Sequence, residues 1–193
     1  MIKNVLSVIG AACLVLMFVL ALRLYPLVQT VNQFDLQAAD LYTQMFQRVL
    51  ASQSGIESIL IKQPVKPGLT AAEVDDYIQL IASELNIKMV GELYIHREVE
   101  VISGSPFRYA KVYLLCNALT AASMLNYNDS FASYLPCRIT LLEDKSGQLW
   151  LYTLDMNFLI YGGKPLPPAL RDEIIKVRDR ILEIMHRASA GDF

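Results

Sequence analysis

LPCRITLLEDKSGQLWLYTL, residues 135–154, is the stretch that decides the fold. It opens on Leu135-Pro136-Cys137-Arg138, runs as a strand from Ile139 to Leu142, turns at Asp144-Lys145-Ser146-Gly147 and returns as a strand from Leu149 to Leu154. Apolar and aromatic runs on either side of Asp/Ser/Gly turn chemistry predict a β-hairpin. The segment after it, Asn157 to Pro168, carries Gly162, Gly163, Pro165, Pro167 and Pro168 and reads as a loop. A last helix is predicted from about Pro168 to Ala188. Leu170, Ile174, Val177, Ile181, Ile184 and Met185 share one of its faces, and proline stands at its start, where a missing amide costs nothing.

Working toward the N-terminus, Ala118 to Tyr127 reads as helix, Asn126 to Asp129 breaks it, and a short helical piece runs through Phe131 to Tyr134. Arg108 to Leu115 reads as a strand with Tyr109, Lys111 and Tyr113 at alternating positions. Before it, Met89, Gly91, Leu93 and Ile95 alternate with Glu92, Tyr94 and His96, and Val99 and Val101 alternate with Glu98 and Glu100. This predicts one strand from Ile87 through Val101, bent near His96, closed by a turn at Gly104 and Pro106. Thr70 and Glu73 form a capping-box pair that starts a helix reaching about Asn86, with Val74, Tyr77, Ile78, Ile81 and Leu85 inward and Asp75, Asp76 and Glu84 on the solvated side. Ile56 to Ile61 is a short strand or helix end, and Pro64, Pro67 and Gly68 make a stiff connector. This order predicts an α+β domain with helices stacked on one face of an antiparallel sheet.

Ahead of the domain, Asn4 to Leu22 holds nineteen residues without a charge, between Lys3 and Arg23. At about 1.5 Å per residue that is a helix of roughly 28 Å, close to the roughly 30 Å hydrocarbon core of a bilayer. No small-x-small cleavage site follows it, since Ala21-Leu22-Arg23 places arginine where a small residue is required. Cys13 lies mid-stretch, where a lipidated cysteine is not expected. We therefore expect a single uncleaved transmembrane helix with Tyr25 at the interface and Pro26 ending or kinking the span. Lys3 and Arg23 nearly cancel in the basic-residue count. The amino terminus and its short tail favour a cytoplasmic start, with the C-terminal domain in the periplasm of a bacterial inner-membrane protein.

From Thr30 to Ser52 apolar residues recur at helical spacing, predicting an amphipathic juxtamembrane helix whose Phe34, Ala38, Leu41 and Met45 form a short a/d stripe. Packing of this stripe on the chain's own domain is the simpler reading. Contact with a partner helix or a second copy is the functional alternative, and it makes those four the candidate partner-binding residues. The predicted organisation is an anchor at 1–29, the juxtamembrane helix at 30–54 and the α+β domain at 55–193.

Charge and composition narrow the partners. The chain carries 17 basic and 19 acidic residues for a net charge of −2, so outside the span it is mildly acidic. No basic cluster suits nucleic acid or anionic lipid heads. His96 and His186 are the two histidines and read as solvated surface residues, so neither a metal site nor a cofactor is expected. Asp172, Glu173 and Asp179 stand among Arg171, Lys176, Arg178 and Arg180 and mark a salt-bridged solvent face. Gly162-Gly163-Lys164 lacks the spacing of a phosphate loop. Cys137 is the one candidate nucleophile, with Cys116 as a resolving partner, on condition that Arg138 or a helix end lowers its pKa. A small buried apolar residue at a strand start is the favoured reading for it.

The Leu135-Pro136-Cys137-Arg138-Ile139 run, leading through Glu143-Asp144 to Gly162-Gly163-Lys164-Pro165-Leu166-Pro167-Pro168 and a closing helix, resembles the domain-of-unknown-function family 302 over roughly Thr70 to Phe193. The resemblance implies a small bacterial or archaeal α+β domain able to pair as a dimer, and some longer members look like proteins of sulfur-oxidising bacteria. It supplies no catalytic set; Cys137 alone matches the family's signature cysteine. The expectation is a non-catalytic, membrane-anchored, periplasmic accessory or binding subunit of a membrane complex, in contact with the lipid bilayer and with complex subunits or a second copy. The alternative is a sulfur-handling or redox protein using Cys137.

Overall fold

The computed structural model describes residues 2–192. In chain order the helices and strands are α1 (Ile2–Val31), α2 (Ala38–Ser52), α3 (Gly55–Ser58), β1 (Leu60–Pro64), α4 (Ala71–Glu84), β2 (Lys88–Leu93), α5 (Ile95–Ser103) and β3 (Ala110–Cys116). There follow α6 (Ala118–Tyr127), a 3-10 turn (Asp129–Ser133), β4 (Cys137–Glu143), β5 (Leu149–Leu154), α7 (Asn157–Tyr161) and α8 (Pro168–Ala190).

The β4–β5 hairpin is organised by Asp144. One carboxylate oxygen accepts from the Ser146 and Gln148 amides and the Ser146 hydroxyl, at 2.8, 3.1 and 2.6 Å, and the other accepts from the Trp150 indole at 2.8 Å. Gly147 completes the turn at φ +84°, a conformation that side chains disfavour. Around this hairpin the sheet runs β1-β5-β4-β3-β2, antiparallel throughout.

Strand parity then separates two faces. Leu115, Tyr113 and Lys111 of β3 stand opposite Cys137, Ile139 and Leu141 of β4, and Leu141 stands opposite Leu151 of β5. This face is covered by Val74, Ile78 and Ile81 of α4 and by Ile174, Ile181 and Ile184 of α8, all in one core. The α4 start is the predicted capping box, with the Glu73 amide donating to Thr70 and the Thr70 amide donating to Glu73. Val112, Leu114, Leu142, Trp150 and Tyr152 on the opposite face are only half-buried.

Several expectations are corrected. The alternation read as strand through Val101 ends at Leu93, and Ile95–Ser103 is helical. Ile95 and Val99 also satisfy helical spacing, and tertiary contacts choose between the two periods. Gly104 caps the helix at φ +67°, and the Glu100 carboxylate accepts from the Phe107 amide at 3.1 Å. The loop predicted after the hairpin contains α7. Of the two outcomes expected of Pro26, ending the span is excluded, since α1 runs on to Val31 with the proline inside it.

The helix predicted from Thr30 is broken over residues 32–37, so Phe34 lies in a turn and not in a helix. The break is made by Asp35, which is buried. Its amide donates to the Gly163 carbonyl at 2.7 Å, its carboxylate accepts from the Gln37 amide at 2.9 Å, and Arg171 lies 3.9 Å away.

Candidate functional site

On β3 the alternation of Tyr109, Lys111 and Tyr113 carries a lysine into the covered face of the sheet. Lys111 is fully buried, and an isolated ammonium there would be prohibitively unstable. Its Nζ donates to both oxygens of Asp75 at 2.6 and 2.8 Å and lies 2.8 Å from Glu92, over the rings of Tyr94 (4.4 Å) and Tyr113 (4.7 Å).

Asp75 comes from the second turn of α4. Glu92 arrives through a β-bulge: Met89 stands opposite Leu115, the register then shifts, and Glu92 stands opposite Tyr113. Without the extra residue Glu92 would point to the other face. His96 stacks on Tyr109 with ring centroids 4.5 Å apart, and its Nδ1 sits 2.8 Å from the Ala110 carbonyl oxygen.

The chemistry of this cluster follows from its saturation. Burial works to strip the proton from Lys111, and the hydrogen bonds to Asp75 and Glu92 override it, so the pKa lies above that of a free lysine. The group stays an ammonium and offers no nucleophilic lone pair. Burial, reinforced by the neighbouring Tyr109 and Asp75, also raises the Tyr113 phenol, so it offers no phenolate. The cluster is an ionic clamp between α4 and the β2–β3 edge.

Cys137 lies on the covered face opposite Leu115. Burial, reinforced by the neighbouring Cys116, pushes its thiol up to about 11, and Arg138 only partly counters this. The space bounded by Tyr134, Cys137, Arg138, Thr153, Leu154 and Met156 is about 10 Å³, room for one water at most. Parity places Cys116 with Leu114 on the opposite face, and both cysteines are free thiols. Among the described residues, no three His, Cys, Asp or Glu side chains are placed to hold a metal ion.

The family model described as "Domain of unknown function DUF302" matches residues 62–188, from β1 through nearly all of α8. The chain belongs to the DUF302 family. The crystal structure of an uncharacterized conserved DUF302 protein from Bacillus stearothermophilus superposes with a TM-score of 0.55 at 16% identity, covering 67% of this chain and 98% of that one. At that identity the likeness concerns the fold alone. No curated protein matches the chain.

The Lys111 cluster and Cys137 fall inside the DUF302 region, whereas α1 and α2 precede it. Of the four residues considered for partner binding, Ala38 and Leu41 are buried and Phe34 and Met45 half-buried. Arg48 on α2 reaches the buried Asp155 at 3.3 Å, and the Tyr42 hydroxyl donates to the Gly162 carbonyl at 2.6 Å. The a/d stripe of α2 is thus turned toward the DUF302 domain of its own chain.

The clamp went unread in the sequence because its parts are far apart. On its own helix Asp75 reads as solvated, and the bulge reverses the parity of Glu92. His186 is exposed as expected, but His96 is half-buried against Tyr109. One signal was available: a lysine flanked at i±2 by tyrosines on a strand face, which requires carboxylate partners once that face is buried.

Proposed function

We propose that this DUF302 chain is a membrane-tethered binding subunit, with its α+β domain in the periplasm and attached to a membrane complex, and that it does no chemistry of its own. The observation that carries this reading is α1. Its stretch Ile9–Val31 is long and apolar enough to cross a membrane, and none of it is buried within the chain. A helix apolar all round needs either a bilayer or a protein core, and its own domain does not supply the core.

Two further observations support the absence of chemistry. Lys111 is held as an ammonium by two carboxylates, and Cys137 has a raised pKa with no room beside it for a substrate. Nothing favours the sulfur-handling alternative. The test joins carbonate extraction, protease accessibility in spheroplasts and gentle detergent purification. A carbonate-resistant chain, digested from the periplasmic side and bringing a stoichiometric membrane protein with it, is expected. A bare monomer would defeat the subunit reading, and protection of the domain would reverse the topology.

A further inference from the structure

The inward stripe of α2 leaves a second one outside. Phe46 and Leu50 stand one turn apart on the neighbouring flank, beyond Tyr42, whose hydroxyl and ring are committed to Gly162 and Phe158. Phe46 and Leu50 are 60% and 65% exposed, and Ile56 of α3, just past the left-handed turn at Gln53, is 59% exposed. Ala39 and Thr43 precede them, so the stripe carries no charge. The charged residues of α2, Asp40 and Arg48, sit off it, and Arg48 is committed to Asp155. Leu36, in the turn before α2, is 97% exposed.

From these positions we infer that the exposed ridge of Phe46 and Leu50, with Leu36 before α2 and Ile56 after it, lies in the headgroup and upper acyl region of the bilayer that α1 spans. This inference rests on the membrane tether proposed above. It commits to lipid because the ridge continues from the span. The connector after Val31 is wound into tight turns, with Asn32, Gln33 and Phe34 donating back to Val28, Thr30 and Val31.

Asp35 then pins that connector to Gly163, so α2 begins at the membrane exit and is not held off it by a long linker. A surface tethered so closely meets the bilayer at high effective concentration, and a weak apolar contact is enough to keep it there. Helices of this kind bury an apolar face roughly 5–10 Å into the interface. The ridge has no lysine or arginine, so its attraction is apolar and not directed to anionic headgroups.

The test uses the full chain in phosphatidylcholine vesicles with Phe46→Trp as reporter, the emission of the parent chain's Trp150 serving as baseline. Leu50→Trp is a second reporter, and Gln44→Trp a control on the charged flank. Lipid docking predicts blue-shifted emission from positions 46 and 50 that loses at least half its intensity when the acyl chains are brominated. The control stays unquenched, and added salt or anionic lipid changes nothing.

Water-like, unquenched emission at 46 and 50 from a chain that resists carbonate overturns the docking and leaves the tether intact. Release of the chain by carbonate overturns the tether itself. Blue-shifted but unquenched emission that depends on the protein-to-lipid ratio assigns the ridge to a second copy, and quenching that disappears in salt assigns it to charge. Either result overturns the inference.

Discussion

Lys111 holds Asp75 by both carboxylate oxygens, at 2.6 and 2.8 Å, across 36 residues of sequence, inside a core where the lysine side chain has no exposed surface. The contact ties the start of α4 to the middle of the sheet, and Glu92 closes the opposite side at 2.8 Å. Only the lysine is fully buried, since Asp75 and Glu92 keep 19% and 28% of their side chains exposed, and its desolvation offsets most of the attraction. Removing the lysine leaves two partly solvated carboxylates facing each other without their shared cation.

Lys111→Met is therefore expected to destabilise the domain by about 2–3 kcal/mol, water at the two carboxylates reducing the cost, read as a lower urea midpoint at unchanged slope in detergent. Adding Asp75→Asn and Glu92→Gln removes the stranded charges and should restore most of the loss. A triple variant as unstable as the single one would assign the effect to packing of the lysine stem instead.

Cys137 is expected to alkylate more slowly than a free cysteine at neutral pH, with its rate rising toward an inflection near 11 and not near 9.0. The sign for stability follows. With its folded pKa raised, the buried thiol favours the folded state fully below the unfolded value of 9.0, and that contribution disappears as pH rises toward about 11. Site-resolved peptide mapping after timed iodoacetamide exposure separates Cys137 from Cys13 and Cys116. Fast labelling of Cys137 at neutral pH would restore the nucleophile reading.

The hairpin predicts the opposite pH sign. Hydrogen bonds from the Ser146 hydroxyl and the Trp150 indole hold the Asp144 carboxyl well below the usual carboxylate range. Its contribution is complete above the ordinary carboxyl pKa and is lost as pH falls through the lowered value. Asp144→Asn should weaken the domain at neutral pH and flatten its response to acid. Trp150 fluorescence followed through acid titration of both chains measures this, and parallel acid curves would show that the turn does not depend on the charge.

The legible parts of this fold were those specified within a few residues. The capping box at Thr70 and Glu73, the Asp144 turn and the proline start of α8 each carry their cause in adjacent sequence, and each stands where the pattern placed it. The illegible parts were decided at a distance. Val99 and Val101 fit a strand until His96 docks on Tyr109 and Gly104 turns left-handed. Asp75 looks solvated on its own helix until Lys111 arrives from the sheet, and a one-residue bulge, invisible to a period-two pattern, carries Glu92 to the same place. The break before α2 was hidden for the same reason, since the partner of the Asp35 amide is Gly163.

Attachment of α2 turns on Arg48. Its guanidinium spans the Ser58 carbonyl at 3.4 Å and the Asp155 carboxylate at 3.3 Å, and Asp155 is 2% exposed while also accepting from the Asn157 amide at the start of α7. Arg48→Met leaves that carboxylate buried without its cation. Because the arginine side chain is 42% exposed, solvent screening reduces the cost to about 1–2 kcal/mol. α2 lies outside the DUF302 region and joins the domain mainly through this bridge, the Tyr42 hydroxyl and the Ala38–Leu41 contact, so the loss should appear as local opening. Hydrogen exchange of the full chain in detergent should show α2 amides exchanging roughly tenfold faster, with α4 and α8 unchanged. Equal acceleration across α2, α4 and α8 would make α2 part of the domain's cooperative unit, and the juxtamembrane helix would then not be a separately yielding element between the span and the sheet.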